Sequence, residues 1–304
     1  MFGKVRLCPG AVPIGFKADV KTAKLKKPMP RKRAHDLFGQ LTRDLARITD
    51  DFPDKVLCPL CMSPFSEEAI DSEPPELTLE HIVSELLGEE IFTLSCKSCN
   101  NTHGSKVDSH LIQMLRCKDA IVGIGTQPFR GFIEVAGNQI PVHFSIADLT
   151  FKVIGAHPHV LSEVHQAMGG DHVDAMEFMF RLGYIRGRAY LALLRIAYLA
   201  MFKAFGYEYI LSPAAGVIRN IIGEFESPPS ELSSLLAELT NISPVPKSPL
   251  QLMHVPSAKV TVVVMKLTTE TERYYAALMP DHDVGEDKAL EILINARGLL
   301  QRYP

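Results

Sequence analysis

Residues 58–108 read CPLCMSPFSEEAIDSEPPELTLEHIVSELLGEEIFTLSCKSCNNTHGSKVD. Cys58-x-x-Cys61 and Cys96-x-x-Cys99 bracket a Glu80-His81 dipeptide, and a polar run follows the second pair. A Cys-x-x-Cys turn presents two thiolates to one ion, and two such turns complete a tetrahedron. The pattern predicts a structural zinc held by Cys58, Cys61, Cys96 and Cys99. A zinc bound this way contributes folding free energy to a module with little core of its own, about 10–16 kcal/mol in small zinc-finger peptides. A closed four-thiolate zinc has no open position and does no chemistry. Any activity must come from the polar residues around it.

Those residues have distinct placements. If residues 77–82 form a strand, Glu80 and His81 point to opposite faces. Asn100, Asn101, Thr102 and Ser105 suit a helix start. On that helix Asn100 and His103 share a face. A carboxylate, an amide oxygen and an imidazole brought together suit a second, hard divalent ion.

Composition bounds the rest. The chain has 304 residues, enough for two modest domains, with 46% hydrophobic and 22% charged residues. The net charge of −3 excludes a bulk polycation, so any grip on nucleic acid must be local. Six cysteines, four of them in tight pairs, fit metal binding in a reducing compartment better than disulfides. Cys8 and Cys117 are then plain thiols. The N-terminus lacks a secretory h-region, and the apolar stretch 189–202 is interrupted by Arg195, so a cytoplasmic protein that does not span a membrane is expected.

Outward from the module, a basic arm (Lys17 to Arg33) can steer a phosphate backbone, with Lys26, Lys27, Arg31, Lys32 and Arg33 closest to the module. Residues 34–49 repeat Leu37, Leu41, Leu45 and Ile48 as an amphipathic helix. The acidic, proline-rich run 67–76 reads as a loop. A helix is predicted over 105–117, then strands over 131–136, 139–146 and 151–155, with a short helix over 159–168. The longest helix covers 189–205, broad and apolar enough to be buried. A short helix over 231–239, strands over 259–267 and 273–279, and a helix over 286–300 complete the chain. The two hairpins are expected in one antiparallel sheet.

Taken together, Cys58-x-x-Cys61, Glu80-His81-Ile82-Val83, Leu87-Gly88, Cys96-x-x-Cys99-Asn100-Asn101, Gly104-Ser105 and Asp108 resemble the HNH endonuclease family. The likeness is to its four-cysteine branch, in which Glu-His-Ile-Ile-Pro precedes Cys-x-x-Cys-Asn-Asn, and it covers roughly residues 55–110. It implies an α+β protein with a treble-clef-like ββα-metal module that cuts phosphodiester bonds in DNA, or in RNA, with one Mg2+ or Mn2+ ion. His81 would be the general base, activating water. Glu80 and Asn100 would hold the ion, with His103 as a further contact, and Lys106 would meet the backbone. A defence or mobile-element setting in bacteria goes with the resemblance. The motif's middle asparagine is absent from 90–95, leaving Asn101 to replace it, and Ser84 stands where a proline is common. The competing expectation is a non-catalytic treble-clef zinc module that binds nucleic acid or a protein. The expected organisation is an arm and helix over 1–54, the module over 55–117, and a larger mixed α/β domain over 118–304 with antiparallel hairpins and a long buried helix.

Overall fold

The computed structural model describes residues 2–6, 31–88, 91–124, 129–135, 138–145, 150–153, 159, 162, 177–181, 183–240 and 248–301. It is a mixed helix-and-strand protein whose sheets are antiparallel. The chain separates into two compact units: residues 1–27 with 113–183, and residues 28–112 with 184–304. The expected boundaries at 54 and 117 are therefore not where the contacts divide the chain. The cysteine segment and the long apolar helix belong to one unit, and the segment 113–183 is inserted between them.

The smaller unit carries β1 (Phe2–Arg6), β6 (Phe129–Val135), β7 (Asn138–Ser145), β8 (Thr150–Val153) and β9 (Glu177–Arg181). They form one sheet in the order β1-β9-β6-β7-β8. Ile140, Val142 and Phe144 of β7 are buried while Gln139, Pro141 and His143 are not, the alternation of a sheet covered on one face. The predicted helix over 159–168 lies almost wholly outside the described residues.

The larger unit contains the cysteine module. Helix α1 (Arg31–Leu45) packs Ala34, Leu37 and Phe38 onto Val56 and Phe65 of a minimal hairpin, β2 (Val56–Leu57) with β3 (Pro64–Phe65). The same cluster takes in Ala69 and Ile70 of the one-turn helix α2 (Glu68–Asp71), Leu77 and Leu79 of β4 (Leu77–His81), and Phe92 and Leu94 of β5 (Phe92–Cys96). This is a small core, and α1 closes it. The acidic run is not free loop, since His35 Nδ1 lies 2.7 Å from Glu67 and Arg31 lies 3.7 Å from Asp71. Helix α3 (Lys97–His103) follows β5 directly, and one wide π-helical turn (Gly104–Asp108) leads into α4 (Ser109–Ile121).

Helix α5 (Arg186–Ile210) is the spine of this unit, with a non-helical break at Gly206. By length and composition it is apolar enough to cross a membrane, yet 72% of its most apolar window is buried inside the protein. Its apolar surface is used by the protein's own core. Helix α6 (Pro213–Gly223) follows, capped by the Ser212 hydroxyl accepting from Ala215 N–H at 3.2 Å. The second sheet is β10 (Leu236–Leu239), β13 (Glu272–Pro280), β12 (Val260–Thr268) and β11 (Leu250–Val255), in that order. Consecutive residues of β12 and β13 are buried, so both faces of the sheet centre are covered, and α5 and α7 (Glu286–Ala296) both pack on these strands. A last turn, α8 (Gly298–Gln301), ends the described chain.

Two expectations are corrected. The hairpins at β6–β7 and β12–β13 lie in separate sheets. The predicted helix over 231–239 is a 3-10 turn over Ser230–Leu235 followed by the edge strand β10. Its leucine spacing satisfies both readings, and pairing with β13 decides between them.

Candidate metal centre and its surroundings

Cys58 ends the β2 side of the first knuckle. Its N–H donates to Ser63 O at 2.9 Å and its carbonyl accepts from Met62 N–H at 2.8 Å, closing a tight turn with Met62 at φ 61°. Cys96 ends β5, and Cys99 lies in the first turn of α3. The four Sγ atoms lie within 4.8 Å of one another, and Cys61 Sγ is 3.8 Å from Cys96 Sγ. Zinc–sulfur bonds of about 2.3 Å in a tetrahedron require sulfur–sulfur edges of about 3.8 Å. The cluster fits a structural metal such as zinc.

Backbone N–H groups favour the thiolate form. Cys96 N–H donates to Cys58 Sγ and Cys99 N–H to Cys96 Sγ, each at 3.4 Å. Hydrogen bonding to Cys58 lowers the pKa of Cys96 and of Cys61, while Cys58 retains its proton through hydrogen bonding to Cys61 and then Cys96. Among the described residues no other set of three or more histidine, cysteine or acidic side chains converges in this way.

Helix α5 holds this knuckle by polar ties. The Tyr207 hydroxyl donates to Leu57 O and accepts from Leu57 N–H, both at 2.8 Å, and the Tyr198 hydroxyl donates to Pro59 O at 2.8 Å. At the break, Gly206 has φ 62° and ψ −145°, a conformation open essentially to glycine alone. It lets Tyr207 N–H donate to Asp44 Oδ2 of α1 at 2.7 Å.

The residues expected to form a catalytic centre fall in different environments. Glu80 is 2% exposed. Its Oε1 accepts from Arg195 Nη1 at 2.6 Å and its Oε2 accepts from the Ser95 hydroxyl at 2.8 Å. Arg195 is itself buried and pairs through Nη2 and Nε with both Asp108 oxygens, the Nε contact at 3.3 Å. Burial raises the Glu80 carboxyl above its usual range, against the pull of the Arg195 guanidinium. Asp108 reaches Arg195 from the π-helical turn. The sequence separation of Arg195 from the motif hid its part, although Asp108 stood in the motif.

His81 stands on the other side of β4, opposite Phe92 in register and partly buried. Its ring packs edge-on against the Phe92 ring at 4.4 Å. Arg33 lies over the same Phe92 ring at 4.3 Å, and Lys203 is close enough to Arg33 that, after burial, this like charge lowers its pKa. Asn100 donates through Nδ2 to Thr78 Oγ1 and Leu79 O, both at 3.1 Å, so its amide ties α3 to β4. Asn101 is exposed and lines a shallow cavity beside Cys61, Cys96 and Cys99. His103 is 6% exposed, and burial together with Arg195 lowers its pKa to about 4, so the ring is neutral. Among the described residues its Nδ1 has no hydrogen-bond partner.

The structure thus packs His81 and Arg33 each against the Phe92 ring and brings Glu80 together with Arg195 and Asp108, but not Glu80 with His81. The donor set for Mg2+ or Mn2+ does not fit, because both Glu80 oxygens are engaged and an arginine cation already lies between the two carboxylates. Lys106 is paired with Glu226 at 2.9 Å, which also takes Arg188 at 2.6 Å. Lys32 is exposed at the start of α1, and Lys26 and Lys27 lie outside the described residues. Comparison of the chain with protein-family models, curated proteins and solved structures finds no match.

Proposed function

We propose that this chain is a nucleic-acid-binding protein built on a zinc-held, HNH-like hairpin–helix module that grips the phosphate backbone without cutting it. The observation that carries this reading is the buried Glu80–Arg195–Asp108 network. A hydrolytic module of this kind needs a carboxylate open to a divalent ion, whose charge stabilises the scissile phosphate. Here the guanidinium supplies that positive charge permanently, sealed from solvent, and a phosphate cannot reach it.

The surface on the other side of β4 supports binding. Arg33 is an exposed cation over the Phe92 ring on which His81 packs, and Lys203 is an exposed cation close enough to Arg33 to feel its charge. Lys32 adds a third exposed cation on α1. Such a patch neutralises phosphates locally on a chain of net negative charge. DNA is the leading partner, with RNA as the alternative.

Fluorescence anisotropy with labelled DNA and RNA duplexes and single strands tests this. Binding should weaken steeply with salt, and Arg33→Glu and Lys203→Glu should each lower the log–log salt slope by about one. Salt-independent binding, or variants that bind like the wild type, would remove the proposal.

A second reading is phosphodiester hydrolysis with His81 as general base. It is favoured by one observation, that His81 is only partly buried and packs on the Phe92 ring over which the exposed Arg33 lies. Under it, Arg195 would have to leave Glu80 before an ion could bind.

A further inference from the structure

A second grip for an anion lies in the larger unit, and the chain's own carboxylate fills it. Between α6 and the 3-10 turn that follows, Ser227 N–H donates to Glu224 O at 3.2 Å and closes a tight turn. Phe225 and Glu226 are its corner residues, so both side chains project from this strap. Glu226 Oε1 accepts from Lys106 Nζ of the π-helical turn at 2.9 Å. Its Oε2 accepts from Arg188 Nη2 in the first turn of α5 at 2.6 Å.

The strap is fitted to the same two cations along its length. Arg188 Nε donates to Phe225 O at 2.9 Å, and the Lys106 ammonium lies over the Phe225 ring at 4.9 Å. Gly187 lets the strap seat directly on α5, since a Cβ there would lie 2.9 Å from Pro228 Cβ. The Phe225 ring also stands edge-on to His103, 6.1 Å away. His103 is 6% exposed, and its Nδ1 is without a partner among the described residues. A buried nitrogen left unpaired costs stability, and the strap is the element lying against that ring.

Charge and shape select what can replace the carboxylate. One oxygen on each of two cations, with a single negative charge between them, is also what a phosphodiester offers through its two non-bridging oxygens. Exchanging Glu226 for such a group keeps the charge balance. The exchange is easy, because the Glu226 and Lys106 side chains are 62% and 49% exposed, and ion pairs this open are weak and screened by salt. The site also continues the basic surface already described. Lys203 lies about 22 Å further along α5 from Arg188 and about 60° around it, before the break at Gly206. One strand of a nucleic acid covers that distance with about six phosphates.

We propose that Lys106 and Arg188 form a second phosphate-binding site for nucleic acid, and that the Phe225–Glu226 strap is a built-in competitor that a backbone phosphate displaces. The inference rests on the nucleic-acid reading above and adds a masked contact to it. With the strap closed, the patch of Arg33, Lys203 and Lys32 makes the contact alone. Lifting the strap extends the grip along α5.

Fluorescence anisotropy of the full chain with a labelled DNA duplex, over a range of salt concentrations, tests this. Glu226→Gln keeps the strap and removes the competing charge. It should tighten binding about tenfold and steepen the log–log salt slope by about two, one for each cation released. Adding Lys106→Ala to Glu226→Gln should abolish most of that gain. Glu224→Gln removes the same charge from an exposed residue of the same strap, and should stay within about twofold of wild type. If wild type binds and Glu226→Gln binds no more tightly, or if Glu224→Gln gives an equal gain, the competitor is overturned and the nucleic-acid reading stands. Absence of binding by wild type and Glu226→Gln alike overturns both.

Discussion

Arg195 Nη1 donates to Glu80 Oε1 at 2.6 Å across a sequence separation of 115 residues, with the two side chains 1% and 3% exposed. The pair joins the middle of the longest helix to the middle of the strand that carries the motif. Asp108 completes it from the π-helical turn, so three segments meet on one guanidinium. A buried charge is tolerated only when paired and hydrogen-bonded, and here each partner depends on the others.

Arg195→Met leaves two buried carboxylates without their cation, and should destabilise the protein by about 3–5 kcal/mol. Arg195→Met combined with Glu80→Gln and Asp108→Asn should recover part of that loss. Urea unfolding monitored by circular dichroism reads both. A loss confined to the range of about 0–1 kcal/mol for a surface ion pair would show that the network is not buried in solution.

Metal analysis should find about one zinc per chain, and Cys96→Ser should lose it together with stability. Chelation should unfold the segment from α1 to α3 first, since its hydrophobic cluster is small. A metal-free protein with unchanged thermal stability would contradict the assignment.

Gly206→Ala should destabilise strongly, because a Cβ at Gly206 would lie 1.9 Å from Asp44 Oδ2. Strain of about 1–3 kcal/mol is expected, with loss of the Tyr207–Asp44 bond besides. Asp44→Ala should cost less than Gly206→Ala, since it removes the bond without introducing a clash or backbone strain. Thermal unfolding of the two variants and the double variant decides this.

His103 is held neutral by burial first and Arg195 second, at a pKa of about 4. An unfolded histidine titrates near about 6.5. The unfolded state therefore binds the extra proton first, so the stability His103 contributes is complete above about pH 6.5 and falls as the pH drops toward 4. Acid also releases zinc from thiolates, so the measured quantity is the difference in acid slope between wild type and His103→Phe. His103→Phe should show the shallower slope, and equal slopes would contradict the buried neutral ring.

Much of the module was legible because its determinants are local. The Cys-x-x-Cys spacing placed four thiols together, and the period of two along β4 put Glu80 inside and left His81 partly exposed. The apolar surface of α5 likewise announced a buried helix. What the chain order could not reveal was long-range pairing. Arg195 read as the edge of a core helix, yet its partners lie on β4 and the π-helical turn. Lys106 read as a backbone contact, yet Glu226 holds it. Leu232, Leu235, Leu236 and Leu239 repeat as a helix face would, and pairing with β13 turned the second half into a strand. The catalytic expectation for Glu80 and Asn100 rested on residue types, whereas in the fold both Glu80 oxygens and the Asn100 amide nitrogen are engaged by neighbours.

The most direct test mixes purified wild-type and His81→Ala protein with supercoiled plasmid in Mg2+ and in Mn2+ and runs the products with and without deproteination. The account predicts that wild type retards the plasmid and leaves it fully supercoiled once the protein is removed. Metal-dependent nicking by wild type that is lost in His81→Ala would contradict it and establish the hydrolytic reading instead.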